Sequence, residues 1–123
     1  MKNILEDKSF KFAVRVVKMA RWLETEKREY TLSKQVLRSG TAIGALLSEA
    51  DFAQSKADFV SKMSISLKEA NETRYWIKLL KETEYIEDEL YNSLYKDVTE
   101  LLALLVSSIK TAKAKLLSET NKK

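Results

Sequence analysis

The chain has 123 residues, 45% of them hydrophobic and 33% charged, with a net charge of +4; this suits one domain around one core and is too apolar for a disordered chain. With no Cys and no His, it has no disulfide, thiolate, zinc-finger or imidazole chemistry, nor the Glu-x-x-His di-iron site found in some helical bundles. There is no apolar run long enough to span a membrane, and the first ten residues, MKNILEDKSF, are too polar for a signal peptide, so a cytoplasmic protein without a membrane partner is expected.

Proline is absent and glycine occurs twice, which removes the strongest helix breakers and predicts an all-α chain. Helical spacing places four segments. The first covers about 9–27, with Ser9 as N-cap. Its core face is predicted as Phe10, Ala13, Val14, Val17 and Ala20, widened by Phe12, Val16, Met19 and Leu23. A short polar linker near Arg28–Thr31 leads to a second helix over about 32–53, with Val36, Gly40, Ile43, Leu47 and Ala50 inward. Its glycines, four apart, each cost about 1 kcal/mol of helix propensity. Close approach of a neighbouring helix would offset that cost; a kink or ligand contact at Gly40–Thr41 is the sharper alternative.

A turn at Gln54-Ser55-Lys56 opens the third helix, about 57–83, which carries two apolar stripes. Phe59, Val60, Met63, Leu67, Ala70 and Ile77 share a face. Ile65, Trp76 and Leu79 lie nearly opposite, beside Glu69 and Glu72. A second stripe holding a Trp asks for a second partner, most simply another copy of the chain. The fourth helix, about 87–116, starts with Glu87, Asp88 and Glu89, which suit the positive end of a helix dipole. It buries Leu90, Leu94, Val98, Leu101, Leu105, Ile109, Ala112 and Leu116. The polar tail 118–123 is expected to fray. Four helices and short loops predict a single domain, an antiparallel up-down-up-down four-helix bundle.

The runs SGTAIGALLSEA (Ser39–Ala50), SKADFVSKMSISLKEANETRYWIKLLKE (Ser55–Glu82) and FKFA (Phe10–Ala13) resemble the 23S ribosomal-RNA intervening-sequence proteins, small bacterial four-helix bundles related to the accessory protein of diversity-generating retroelements. The resemblance spans roughly residues 8–115. Arg38, Ser39, Gly40, Ile43 and Glu49 stand in the expected places, as does Leu67–Thr73 followed by Tyr75-Trp76; Leu46 and Ala50 depart from the Asn and Gly of many members. It implies a homo-oligomeric ring, with a pentamer the best guess, no enzymatic activity, no cofactor, and RNA, DNA, a reverse transcriptase or another nucleoprotein as partner.

Two constellations are candidates for binding. Lys8, Lys11, Arg15 and Lys18 recur three and four apart on one helix face, with Trp22 extending the row; this is either a phosphate track ending in an aromatic or an ordinary solvated face. In an up-down-up-down bundle, segments 1–11, 50–62 and 106–123 share one end and carry +1, 0 and +4, net +5, with Lys110, Lys113 and Lys115 as main contributors; the opposite end, 22–38 and 78–93, carries +1 and −3, net −2. A ring would stack the positive ends into a basic rim.

The second constellation is an interface. Arg38, Ala42, Ala45 and Glu49 share a side of the second helix, and Ile65, Glu69, Glu72, Trp76 and Leu79 a side of the third. Glu49, Glu69 and Glu72 lack the neighbours a metal site needs and read better as partners for arginine, in charge-assisted bonds at a subunit or helix contact. No serine or threonine has a base or a glycine loop in a supporting context. The expected function is therefore a non-enzymatic oligomeric scaffold that binds RNA or a nucleoprotein; the alternative is a purely structural self-assembling module whose partner is protein.

Overall fold

The computed structural model describes residues 4–121, and these form four helices, α1 (Ile4–Glu26), α2 (Thr31–Ala50), α3 (Lys56–Glu82) and α4 (Asp88–Asn121). Cross-helix partners fix the direction of each pair. Gly40 and Gly44 on α2 face Val16 and Ser9 on α1, in falling order. Arg38 meets Glu69 and Glu72 while Glu49 meets Lys62. Lys56 meets Glu119 near one end of the α3–α4 pair, and Lys81 lies over Tyr91 near the other. Lys8 meets Glu100 and Arg15 meets Asp97. Every sequential pair is antiparallel and α4 returns beside α1, so the fold is an up-down-up-down bundle. Among the described residues no helix is long and apolar enough to cross a membrane.

The core runs along the bundle from Leu5, Leu47, Met63 and Ile109 to Leu23, Val36, Leu80 and Ile86. It corrects two predicted faces. On α1 the inward side is Leu5, Phe12, Val16, Met19, Ala20 and Leu23; Phe10 and Val14, expected inside, are 70% and 40% exposed. Apolar residues occupy both sides of this helix, so local spacing alone could not choose between them. On α3 the inward side is Met63, Ser66, Ala70, Thr73, Ile77 and Leu80, with Phe59, Val60 and Leu67 only half-buried. Trp76 then lies about 90° from the centre of that face, at its edge and not opposite it.

The two glycines explain the α1–α2 seam. A Cβ on Gly40 would lie 2.8 Å from Val16 Cγ1, and one on Gly44 would lie 3.3 Å from Ser9 Oγ. Close helix approach is therefore what the glycines provide, and α1 is the neighbour. The α2–α3 seam is also narrow and is tied by buried hydroxyls. Thr73 Oγ1 lies 2.9 Å from Ser39 Oγ and 2.7 Å from Glu69 O, and Ser66 Oγ donates to Ile43 O at 2.9 Å. None of the buried side-chain N or O atoms among the described residues lacks a partner, as a low-dielectric core requires.

The helix ends are local solutions. Ser9 is not an N-cap: α1 begins at Ile4, and Ser9 is buried inside it, donating to Glu6 O. At α2 the position before the helix is Tyr30, which makes no side-chain cap; the Glu29 carboxylate accepts instead from Thr31 N at 3.3 Å and Ser33 N at 2.8 Å. Ser55 caps α3 by accepting from Asp58 N at 3.0 Å. Glu84 closes α3 with φ 65°, Tyr85 N donating to Leu80 O and Glu84 N to Lys81 O, the paired pattern of a left-handed helix terminus. Arg28 takes φ 51° in the α1–α2 turn. The expected end of the fourth helix near Leu116 is corrected as well: α4 continues through Ser118–Asn121, while Lys122 and Lys123 lie outside the described residues.

The helices differ in length, 20 residues for α2 and 34 for α4, or about 30 Å against about 50 Å at 1.5 Å per residue. The surplus projects at one end. Beyond Met63 and Ile109, the outermost buried residues of α3 and α4 there, α3 extends to Lys56 and α4 to Asn121. A Lys56–Glu119 ion pair ties the two projections together.

Gly40→Ala gains about 1 kcal/mol of helix propensity but forces the new methyl into Val16, which costs about 1–3 kcal/mol. It is expected to lower the midpoint of chemical unfolding, whereas Gly44→Ala, which meets only the Ser9 hydroxyl, leaves it near wild type.

Candidate functional site

The row on α1 is largely neutralised by its own fold. Lys8 Nζ lies 3.0 Å from Glu100 Oε1, Arg15 Nη1 lies 2.6 Å from Asp97 Oδ2, and Lys11 Nζ lies 3.2 Å from Asp7 Oδ2. Two of the three pairs cross the α1–α4 seam, so these cations close the bundle as well as facing solvent. Lys18 is exposed and Trp22 is 38% exposed, with Lys27 Nζ 5.3 Å from its ring centroid. A phosphate approaching this row would compete with carboxylates already in place.

The end of α4 is different. Lys110, Lys113 and Lys115 are all exposed, and none has a carboxylate partner among the described residues. Lys110 and Lys113 share an outward side with Val106 and Leu117, which are 41% and 62% exposed. This end therefore keeps its positive charge available, and its lysines stand on a helix that projects beyond α1 and α2.

Most of the predicted interface residues come together on the outer face of the α2–α3 pair, while Ala45 stands on the groove between α1 and α2. Arg38 Nη1 lies 3.1 Å from Glu69 Oε1, and Arg38 Nη2 bonds Glu72 Oε2. Trp76 Nε1 donates to Glu72 Oε2 at 3.0 Å, and Lys62 Nζ lies 3.2 Å from Glu49 Oε1. Charge-assisted bonds at a helix contact are thus present, within one chain. The indole of Trp76 is half-buried, packed against the core cluster and edge-on to Tyr75. Ile65 is 40% exposed, Ala45 is exposed, and Ala42 and Leu79 are half-buried.

This network perturbs its own ionisation. The Glu72 carboxyl is held below its ordinary range, first by the bond from Trp76 Nε1 and then by Arg38, against partial burial. Arg38 is held even further into its charged form, chiefly by its bond to Glu72.

One surface was not expected as a whole, because Phe10, Ala13 and Val14 read as core. Phe10 projects outward from α1 beside a groove between α1 and α2, lined by Ser9, Ala13, Thr41, Gly44, Ala45 and Ser48, with Glu6, Asp7 and Asp51 also on its walls. The glycine spacing that brings the two helices together was the available signal.

A second concavity of about 440 Å³ opens at the projecting end, where α1 and α2 stop and α3 and α4 continue. Leu5, Leu47, Ala50, Phe59, Met63 and Ala112 form its apolar lining, with Glu6, Asp51, Lys56 and Lys115 among its polar residues.

The antiparallel helices, the glycine seam and the Arg38–Glu69–Glu72 network define a small α-helical bundle. The family model for the 23S rRNA-intervening sequence protein matches residues 1–107, and the chain belongs to that family. The crystal structure of a protein of unknown function from the S23 ribosomal protein family of Bacteroides thetaiotaomicron is 54% identical, with a TM-score of 0.86 over 87% of this chain and 99% of that one. No curated protein matches the chain.

The depressed Glu72 pKa sets a pH dependence. Its contribution is present above the ordinary carboxylate range and is lost as pH falls through the lower folded-state value. Because the pair is partly exposed, Glu72→Gln is expected to cost less than about 1 kcal/mol in urea unfolding at neutral pH. The gap from wild type should shrink as pH is taken below about 4.

Proposed function

We propose that the protein is a non-enzymatic scaffold: copies assemble side by side into a closed homo-oligomer, with a pentamer the expected size, and the assembly presents a basic rim to RNA or a nucleoprotein. The observation that carries this reading is Phe10, a phenyl ring 70% exposed on a helix that has a complete inward face without it. Together with Val14 and the adjoining groove it makes an apolar surface of the kind that marks an interaction site. The outer α2–α3 face, with Ile65 and the edge of Trp76, supplies a second and different surface on the same molecule. Two unlike patches are what a head-to-tail ring requires.

The lysines without a carboxylate partner among the described residues support the nucleic-acid part. Lys110, Lys113 and Lys115 stand at the end whose segments sum to +5, and side-by-side copies would add their potentials there. The name of the matching family ties its members to an intervening sequence in 23S rRNA, which is consistent with an RNA partner. The pairing of Lys8 and Arg15 with Glu100 and Asp97 favours the other reading, a self-assembling module whose partner is protein.

Phe10→Ser should leave helicity unchanged and reduce the sedimenting mass; a wild-type chain that is monomeric at high micromolar concentration would rule out the ring. Binding to a structured RNA should weaken steeply with salt. In a Lys110→Gln, Lys113→Gln, Lys115→Gln triple variant, the log–log salt slope should flatten by about 0.7–0.9 for every lysine that pairs with a phosphate in the wild-type complex. The same change at Lys8, Lys11 and Arg15 should do less. Absence of RNA binding at low salt would leave the protein-only module.

A further inference from the structure

The projecting end holds a knob and a hole on one surface. Phe52, in the turn between α2 and α3, is 87% exposed, the highest value among the exposed large hydrophobic residues. It directly follows Asp51, which lines the apolar concavity where α3 and α4 outrun α1 and α2. The phenyl ring is exposed and is not itself part of the lining. That hole is about 440 Å³, and a cavity of about 150 Å³ already accepts benzene, so a phenyl ring fits with room for the chain that carries it.

We propose that two copies join end to end about a two-fold axis, each placing Phe52 into the concavity of the other. A two-fold contact uses the same patch twice and so requires a patch complementary to itself. This one meets that condition in shape, ring against apolar hole. It also meets it in charge, because Asp51 and Lys115 line the hole from different helices, α2's end and α4. In the proposed pair each acid faces the partner's base. Leu5, Phe59 and Ala112 supply the apolar walls. The α4 wall beyond Ser107 lies outside the 1–107 stretch that the family model matches.

End-to-end pairing is independent of side-by-side assembly, and the ratio of two masses separates them. In sedimentation velocity on the full chain, wild type should have twice the mass of Phe52→Ser, whether the smaller particle is a ring or a single chain. Ala112→Trp, which fills the hole from the other side of the contact, should halve the mass in the same way. Unchanged circular dichroism would show that both variants keep the fold. Equal masses for wild type and both variants would overturn the pairing, including the case in which native mass spectrometry finds a small apolar molecule held in the concavity. A halved mass that still exceeds one chain would leave the ring standing; a halved mass equal to one chain would remove the ring and keep the pairing.

Discussion

The bundle depends on how closely α2 approaches its two neighbours. On one side Gly40 lets the α2 backbone reach the Val16 side chain, and on the other Ser39, Ser66 and Thr73 place small hydroxyls where bulkier groups would hold α3 away. Small residues on both flanks of one helix pull three helices together. They also impose register, because a hydroxyl buried between helices must find its acceptor or lose about 1–3 kcal/mol. Ser66 to Ile43 O is satisfied in one alignment of α2 against α3 and a shift by a turn would orphan it, whereas Thr73 would lose Ser39 but keep its bond to Glu69 O within α3. Apolar packing makes the core stable, and these few polar atoms make it singular.

With three helices drawn together, α4 closes the bundle in a different manner. Its seam with α1 is bridged at the surface by Lys8–Glu100 and Arg15–Asp97. Surface pairs of this kind contribute little to stability, typically under about 1 kcal/mol, but they occupy the cations most favourably spaced for phosphate. The distribution of charge thus follows from architecture. Lys8 and Arg15 of α1 are committed to α4, while Lys110, Lys113 and Lys115 at the end of α4 make no ion pair among the described residues.

Much of this was legible in the sequence because it depends on local chemistry. The four helices and their antiparallel order followed from spacing and from the shortness of the polar linkers. The two glycines announced a close approach without naming the partner. What the sequence hid has one cause: spacing gives a face, and only a neighbour decides which face is inward. With Phe10, Phe12, Val14, Val16 and Val17 in one stretch, both sides of α1 satisfy a helical period, and Gly40 across the seam selects Val16. Likewise Ser66 and Thr73 share the period of Met63, Ala70 and Ile77 but read as polar, which displaced the expected core of α3 and put Trp76 opposite it when the indole sits at the edge. The partners of Lys8 and Arg15 lie on the last helix, beyond the reach of any local pattern.

Both glycines of this chain are inside a helix, and the two left-handed turn positions are held by Arg28 and Glu84. This inverts the common division of labour, in which glycine bends the chain and larger residues pack it. A charged side chain in that conformation is strained by about 1–2 kcal/mol. In return, the unfolded connector wanders less than a glycine linker would, so less freedom is surrendered when the hairpins form. The bends at Arg28 and Glu84 are therefore held by the packed helices they join, and each turn takes its shape only as the bundle closes around it.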